Sequence, residues 1–213
     1  MHEQHLRIQI NSYWHSGCGQ SSGTYLDAVT EKNAQGLPFV GGRQLKGLLR
    51  HALRRASAWG WPVGQAPAGP AETLETLLFG TLTQSTSRDQ TLTGMLQFSD
   101  GLLSVEERAW LSDKPQLVGH LYQPLYSTAI NERGSAQQGS LRGIEVCVPL
   151  QLHANVRLLK TAVEDSHRTQ QTRWLEQSGC WDWLSQCLPL VDAVGAHRSR
   201  GFGEAVLSLR ASE

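Results

Sequence analysis

Residues from about Arg43 to Trp59 carry the strongest pattern in the sequence, that of an amphipathic helix. Its apolar side chains recur at intervals of three and four residues, which places them on one face of a helix. They are Leu45, Leu48, Leu49, Ala52, Leu53 and Ala56. Because such a face must be buried, the pattern predicts a helix packed on the apolar surface of another layer.

Alternating apolar and polar residues predict strands on either side of this helix. The predicted strands are Leu6–Asn11, Leu92–Phe98, Glu145–Arg157 and Ala205–Leu209. A second long helix is predicted over Arg168–Leu190, with shorter ones at Glu72–Leu78 and Val105–Leu111. The order of the main elements predicts an α+β fold with a ferredoxin-like or RRM-like βαββαβ core and long inserted loops.

The length of 213 residues is that of one domain, so residues 1–213 are predicted to form a single unit. Residues from about 60 to 70 are rich in proline and glycine, which predicts a linker or a disordered loop. Residues 101–141 are predicted to be irregular apart from the short helix.

Charge and cysteine content narrow the class of protein. The chain has 19 basic and 19 acidic residues, which argues against indiscriminate binding of polyanions. The four cysteines form no CxxC pair, the N-terminus is polar, and no apolar run approaches the length that spans a bilayer. We therefore expect a cytoplasmic protein with reduced thiols, no zinc site and no membrane contact.

A glycine-rich segment precedes the last predicted strand and suits binding to RNA phosphates. Glycines let backbone N–H groups approach a phosphate closely, and arginine forks match its oxygens. The aromatic ring in the segment could stack on a base. The predicted contacts are Gly195, His197, Arg198, Ser199, Arg200, Gly201, Phe202 and Gly203. A plain turn before an edge strand is the alternative interpretation of the segment.

The long helix adds a second basic surface. Arg43, Lys46 and Arg50 lie in its N-terminal half, with no acidic residue among them. Cations at that end oppose the helix macrodipole, so the sequence predicts an anion near the start of the helix. The glycine pair before it leaves the first helical N–H groups open to such an anion.

Four motifs in the right order resemble those of the RAMP superfamily, the RNA-binding proteins of CRISPR systems. Residues 37–50 (LPFVGGRQLKGLLR) are similar to a family signature that ends in Leu-Lys-Gly and an arginine. Residues 78–80 (LFG) with 94–100 (GMLQFSD), residues 129–145, and residues 194–203 resemble three further family motifs. The likeness extends from about Asp27 to Gly203.

The length and motif set most resemble the backbone subunits of type III effector complexes. That resemblance implies binding of guide RNA and complementary target RNA, together with copies of the same chain and other effector subunits. It implies a thumb-like insertion over about 101–144, whose Ile130 and Asn131 would contact the target. It also places Asp27 where the family carries an aspartate that cleaves target RNA with Mg²⁺ or another divalent metal.

Two alternative functions stay open at this point. A non-catalytic structural subunit would share every motif except a working aspartate. A metal-independent, guide-processing endoribonuclease would use His15 or His197 as its general base. The sequence also departs from the family pattern, with Asn131 where the thumb usually carries an aspartate.

Overall fold

The computed structural model describes residues 3–17, 19, 26–61, 64, 71, 73–81, 91–159 and 166–211. The strands are β1 (Glu3–Ile10), β2 (Leu96–Phe98), β3 (Tyr122–Ser127), β4 (Arg142–Cys147), β5 (Leu150–Leu158) and β6 (Ala205–Ala211). The helices are α1 (Gly42–Ala58), α2 (Leu74–Phe79), α3 (Val105–Ser112), α4 (Ser166–Gln177) and α5 (Cys180–Cys187). The linker predicted at about 60–70 lies mostly outside the described residues.

The larger sheet has the strand order β2-β5-β1-β6, and all neighbouring strands in it are antiparallel. The first and last strands of the chain therefore lie side by side, with Ile10 opposite Ala205. This is the strand order of a ferredoxin-like sheet. The prediction of an α+β, ferredoxin-like fold is confirmed.

Alternation along β1 gives this sheet one apolar and one polar face. Leu6 and Ile8 are fully buried and belong to the same core cluster as Leu45 of α1. On the opposite face, His5 stacks on His153 of β5 with ring centroids 5.0 Å apart. The helix therefore covers the apolar face, as its stripe of leucines and alanines requires.

The prediction of one strand from Glu145 to Arg157 is wrong. This segment divides into β4 and β5, which belong to different sheets. The division falls at Val148 and Pro149, where proline has no N–H to donate to a ladder. Val148 instead donates its N–H to the carbonyl of Leu121 (3.0 Å). The predicted strand at Leu92–Phe98 is also shorter, since only the three residues of β2 are strand.

The prediction of one helix from Arg168 to Leu190 is wrong as well. The segment forms α4 and α5, followed by a short 3₁₀ turn at Leu188–Leu190. Gly179 separates the two helices with a φ of +68°, which a right-handed helix cannot contain. The apolar side chains continue across this break, because Leu175 and Leu184 both pack in the core.

Residues 101–141 are more regular than predicted. The expected helix is present as α3, and Ser104 caps it with a full capping box to Glu107. A 3₁₀ segment (Pro115–Leu121) and β3 follow it. The sequence did not indicate β3, because it has no buried side chain in its alternation.

Strands β3 and β4 form a separate two-stranded sheet, paired from Tyr122 opposite Cys147 to Ser127 opposite Arg142. We call these strands and their connection, residues 122–147, the thumb hairpin. The segment at Asp27 and Ala28 runs beside β4: Asp27 donates its N–H to Gly143 O (2.8 Å). The loop that follows β1 is therefore attached to strand β4 of the thumb hairpin.

Cys147, Cys180 and Cys187 are free and buried. Burial raises the pKa of the Cys147 thiol to about 12 and that of Cys180 to about 11. Burial also raises the pKa of the Cys187 thiol, so all three thiols stay protonated at neutral pH. Within the described part of the chain, no helix has both the length and the apolar character needed to cross a membrane.

Candidate nucleic-acid interface

The glycine-rich segment forms a projecting loop, residues 195–203, which we call the glycine-rich loop. Arg198–Arg200 make a single 3₁₀ turn at its tip, and all three side chains are exposed. The turn borders an open hollow of about 660 Å³, lined by residues 192–193 and 195–200. Two arginines beside an open hollow suit a polyanion.

Both ends of the glycine-rich loop are fixed to the segment after β1. Ala196 donates its N–H to His15 O (2.7 Å), and Gly203 donates to Tyr13 O (2.8 Å). Val194 in turn donates to Gly203 O (2.8 Å), which closes the base of the loop. The tip therefore projects from a rigid base. This base fixes the backbone from which the side chains of Arg198 and Arg200 extend.

Three aromatic rings line the inner side of the glycine-rich loop. His197 lies 6.0 Å from the ring of His15 and 6.2 Å from that of Phe202, measured between centroids. Among the described residues, His197 alone adopts a positive φ without being glycine (57°). A positive φ is uncommon for a residue other than glycine, so the contacts around His197 must hold it in this conformation. Phe202 is half-buried, so only part of its ring is open to a base.

A hydrogen bond to β4 orients the ring of His15. Its Nδ1 lies 2.7 Å from the carbonyl oxygen of Glu145. Because a carbonyl oxygen can only accept, Nδ1 carries a proton in this contact. The glycine-rich loop bonds to the backbone of His15, and Asp27 bonds to β4 two residues before Glu145. The structure thus links both predicted sites to strand β4 of the thumb hairpin, Asp27 directly and the glycine-rich loop through His15.

The three predicted cations of α1 differ in what they contact. Arg43 is exposed. Lys46 donates from Nζ to Leu96 O (3.1 Å), and burial, followed by the charge of Arg50, lowers its pKa. Arg50 donates to Glu75 Oε1 and to Gly80 O, both at 2.6 Å. Lys46 and Arg50 therefore already bind protein atoms, and their RNA contacts stay a prediction.

Glu75 of α2 joins α1 to α2 through Arg50 and Arg54. Burial alone would raise the pKa of its carboxyl. The hydrogen bonds and charges of Arg54 and Arg50 outweigh burial and hold the pKa below its ordinary value of 4.5. The lowered pKa means that this contact stabilises the fold fully above about pH 4.5. Its contribution is lost as the pH falls through the lowered value.

Replacing Arg50 with alanine should lower the free energy of unfolding by about 1–3 kcal/mol, because it leaves Glu75 and the carbonyl of Gly80 short of a donor. Arg43→Ala is the matched control, since Arg43 is exposed on the same helix. It should change stability by less than about 0.5 kcal/mol. Urea unfolding of both variants measures the difference, and equal stability of the two would contradict the assignment of Arg50 to the fold.

The anion predicted near the start of α1 is a side chain of the protein. Asp100 accepts the N–H of Gly42 through Oδ1 (2.7 Å). This carboxylate lies at the positive end of the helix dipole and binds the residue that precedes Arg43. A Cβ at Gly42 would lie 2.6 Å from Phe98 O, so the approach requires glycine. Asp100 therefore already accepts one of the helical N–H groups that the sequence predicted to be open to an external anion.

Asp27 is exposed, and one of its carboxylate oxygens is in use. Oδ2 accepts the N–H of Gly143 (2.8 Å). Within the described residues, no group of three or more His, Cys, Asp or Glu side chains could hold a metal ion. Mg²⁺ does not require such a cage, because it is commonly held by one or two carboxylates together with substrate phosphates. Asp27 fits that mode as a single protein ligand.

At the end of the thumb hairpin, Ile130 is 62% exposed. The side-chain oxygen of Asn131 accepts the N–H groups of Arg133 and Ser135, both at 3.0 Å. Asn131 therefore shapes the turn that presents Ile130. The target contact predicted for both residues stays a prediction.

The family model of the RAMP superfamily matches residues 7–206 of the chain. No curated protein matches this chain. Among solved structures, a chain of the type III-B Cmr-beta complex bound to cognate target RNA has a TM-score of 0.64 at 10% identity. The match covers 98% of this chain and 97% of that one. A chain of a type IV-B CRISPR complex has a TM-score of 0.56 at 15% identity, over 99% and 91%. These likenesses show a common fold.

Proposed function

The chain belongs to the RAMP superfamily, and we propose on that basis that it is an RNA-binding subunit of a CRISPR effector complex. Its glycine-rich loop holds the guide RNA by the phosphates. The observation that carries this proposal is the rigid base of the loop with Arg198 and Arg200 exposed at its tip. Exposed guanidinium groups on a fixed backbone suit phosphate binding at low entropic cost.

The partners of this proposal are guide RNA, complementary target RNA, copies of the same chain and other effector subunits. The proposal is supported by the match to chains of the type III-B Cmr-beta complex, which in one of the two structures is bound to cognate target RNA. Arg43 at the start of α1 extends the RNA surface beyond the glycine-rich loop. The thumb hairpin, with Ile130 exposed near its end, would contact the target.

If the glycine-rich loop binds phosphates, the affinity for RNA should depend on salt concentration and not on the base sequence of the RNA. Arg198→Ala and Arg200→Ala should each weaken binding to any single-stranded RNA by about tenfold, the effect of one charged hydrogen bond. Each should also reduce the slope of log affinity against log salt concentration by about 0.7. Fluorescence anisotropy with labelled RNAs of unrelated sequence, over a series of salt concentrations, measures both quantities.

Arg210→Ala is the control for this experiment. Arg210 is also exposed but lies near the end of β6 farthest from the glycine-rich loop, opposite His5. Its replacement should leave affinity and salt slope unchanged. Equal losses for Arg198, Arg200 and Arg210 would show that binding is diffuse, and a loss confined to one RNA sequence would contradict the phosphate mode.

A further inference from the structure

Two tryptophans are exposed together at the C-terminal end of α1. Trp59 is 58% exposed and Trp61 is 36% exposed, and their ring centroids lie 6.5 Å apart. Tryptophan is usually buried because its ring has a large apolar surface. An exposed pair therefore indicates a surface that another molecule covers.

The end of the helix fixes the backbone of both tryptophans. Gly60 has a φ of +75°, and its N–H bonds to Ser57 O (3.1 Å). Trp61 donates its N–H to Ala56 O (3.0 Å). These two bonds are those of a Schellman motif, which stops a helix and holds the next residue in place. The aromatic surface is therefore attached to a rigid part of the protein.

The surroundings of the pair are basic. The guanidinium carbon of Arg55 lies 4.9 Å from the ring centroid of Trp59. Helix α1 has four arginines and one lysine and no acidic residue. Glu75 of α2 neutralises only part of that charge, since it is shared by Arg50 and Arg54. An aromatic surface with excess positive charge favours nucleic acid over an uncharged protein partner.

This surface lies next to the segment that leads into the glycine-rich loop. Arg55 donates from its guanidinium to Leu190 O (3.2 Å). Two residues further along, Asp192 begins the lining of the hollow beside Arg198–Arg200. Residues 190–192 therefore connect the contact of Arg55 to the lining of the hollow.

We infer that Trp59 and Trp61 form a stacking platform for unpaired bases of single-stranded RNA, continuing the surface that begins at the glycine-rich loop. Arg55 holds the ring of Trp59 from one side and supplies positive charge for the adjoining phosphates. The platform accepts any base, because every base has a π face. This inference rests on the proposed function and adds a second site to it.

Trp110 of α3 provides a matched control. It is 50% exposed, a value between those of Trp59 and Trp61, but lies on a helix with Glu106 and Glu107 in its first turn. Lys114 lies over its ring with Nζ 4.2 Å from the centroid. A general effect of removing an exposed tryptophan would show equally at this position.

The test compares three variants of the full chain for binding to a labelled single-stranded RNA. Trp59→Leu with Trp61→Leu keeps apolar side chains but removes the stacking faces, so affinity should fall by about tenfold or more. Trp59→Phe with Trp61→Phe keeps a π face and should stay within about threefold of the unchanged chain. Trp110→Leu should bind as the unchanged chain does. Circular dichroism checks that each variant is folded.

Two outcomes would overturn the inference. In the first, the double leucine variant binds RNA normally; if it also loses self-association in light scattering, the tryptophans belong to a protein contact. In the second, the leucine and phenylalanine variants weaken binding equally.

Arg198→Ala separates the two proposals: if it weakens binding while the leucine variant does not, only the platform is wrong. A chain with no RNA affinity would contradict both.

Discussion

Replacing Gly203 with alanine should unfold the base of the glycine-rich loop and lower the free energy of unfolding by about 3 kcal/mol or more, through a clash added to backbone strain. A Cβ at this position would lie 1.9 Å from the carbonyl oxygen of Val194, and the residue has a φ of +72°. Both hydrogen bonds of Gly203, to Tyr13 and Val194, depend on that close approach. RNA affinity should fall together with stability, because the arginines lose their fixed base.

Gly201→Ala separates the clash from the strain. Gly201 has a similar φ of +82°, but a Cβ there would meet nothing within 4 Å. Its replacement should therefore cost only about 1–2 kcal/mol, the strain of a left-handed residue. Urea unfolding and RNA anisotropy on both variants measure the difference. Equal effects of the two substitutions would contradict the role given to the contact between Gly203 and Val194.

We propose, from the family resemblance at Asp27, that this residue supports metal-dependent cleavage of target RNA; Asp27→Ala should then reduce cleavage by about 100-fold or more while RNA binding is retained. Asp27 would hold a divalent metal through its carboxylate, and the metal would supply charge for attack at a phosphate. The measurement is cleavage of labelled target RNA by the complex assembled with guide RNA, with and without Mg²⁺. The affinity of the complex for target RNA is measured in parallel.

Asp27→Asn is the sharper variant, because an amide oxygen can still accept the N–H of Gly143. It should lose cleavage as Asp27→Ala does, while the thumb hairpin stays attached to the loop. Normal cleavage by the asparagine variant would show that the carboxylate serves only the fold. Cleavage that persists in EDTA would instead favour a metal-independent reaction, with His15 or His197 as the base. Absence of cleavage in every sample would favour a structural subunit.

The fold could be predicted where a pattern is local. The leucines and alanines of α1 are spaced for one helical face, and they are buried as that spacing requires. Predictions failed at single residues that interrupt a pattern. Pro149 divides the predicted strand and Gly179 the predicted helix, since each imposes a backbone that the surrounding pattern does not reveal.

The candidate RNA-binding site could also be predicted only where its residues lie close together in sequence. The glycine-rich loop and its exposed arginines could be recognised from one continuous segment. The residues that bind Arg50 and the start of α1 could not be predicted, because they come from distant parts of the chain. Glu75 binds Arg50 across 25 positions, and Asp100 caps α1 across 58. Such pairings depend on tertiary packing, which no local pattern encodes.

Electron microscopy of the protein co-expressed with a CRISPR array would show whether the glycine-rich loop holds guide RNA. We expect an assembly containing one RNA strand, with its phosphates against Arg198 and Arg200. An assembly without RNA would rule out this role of the loop. So would RNA bound elsewhere, for example on the polar sheet face at His5 and His153.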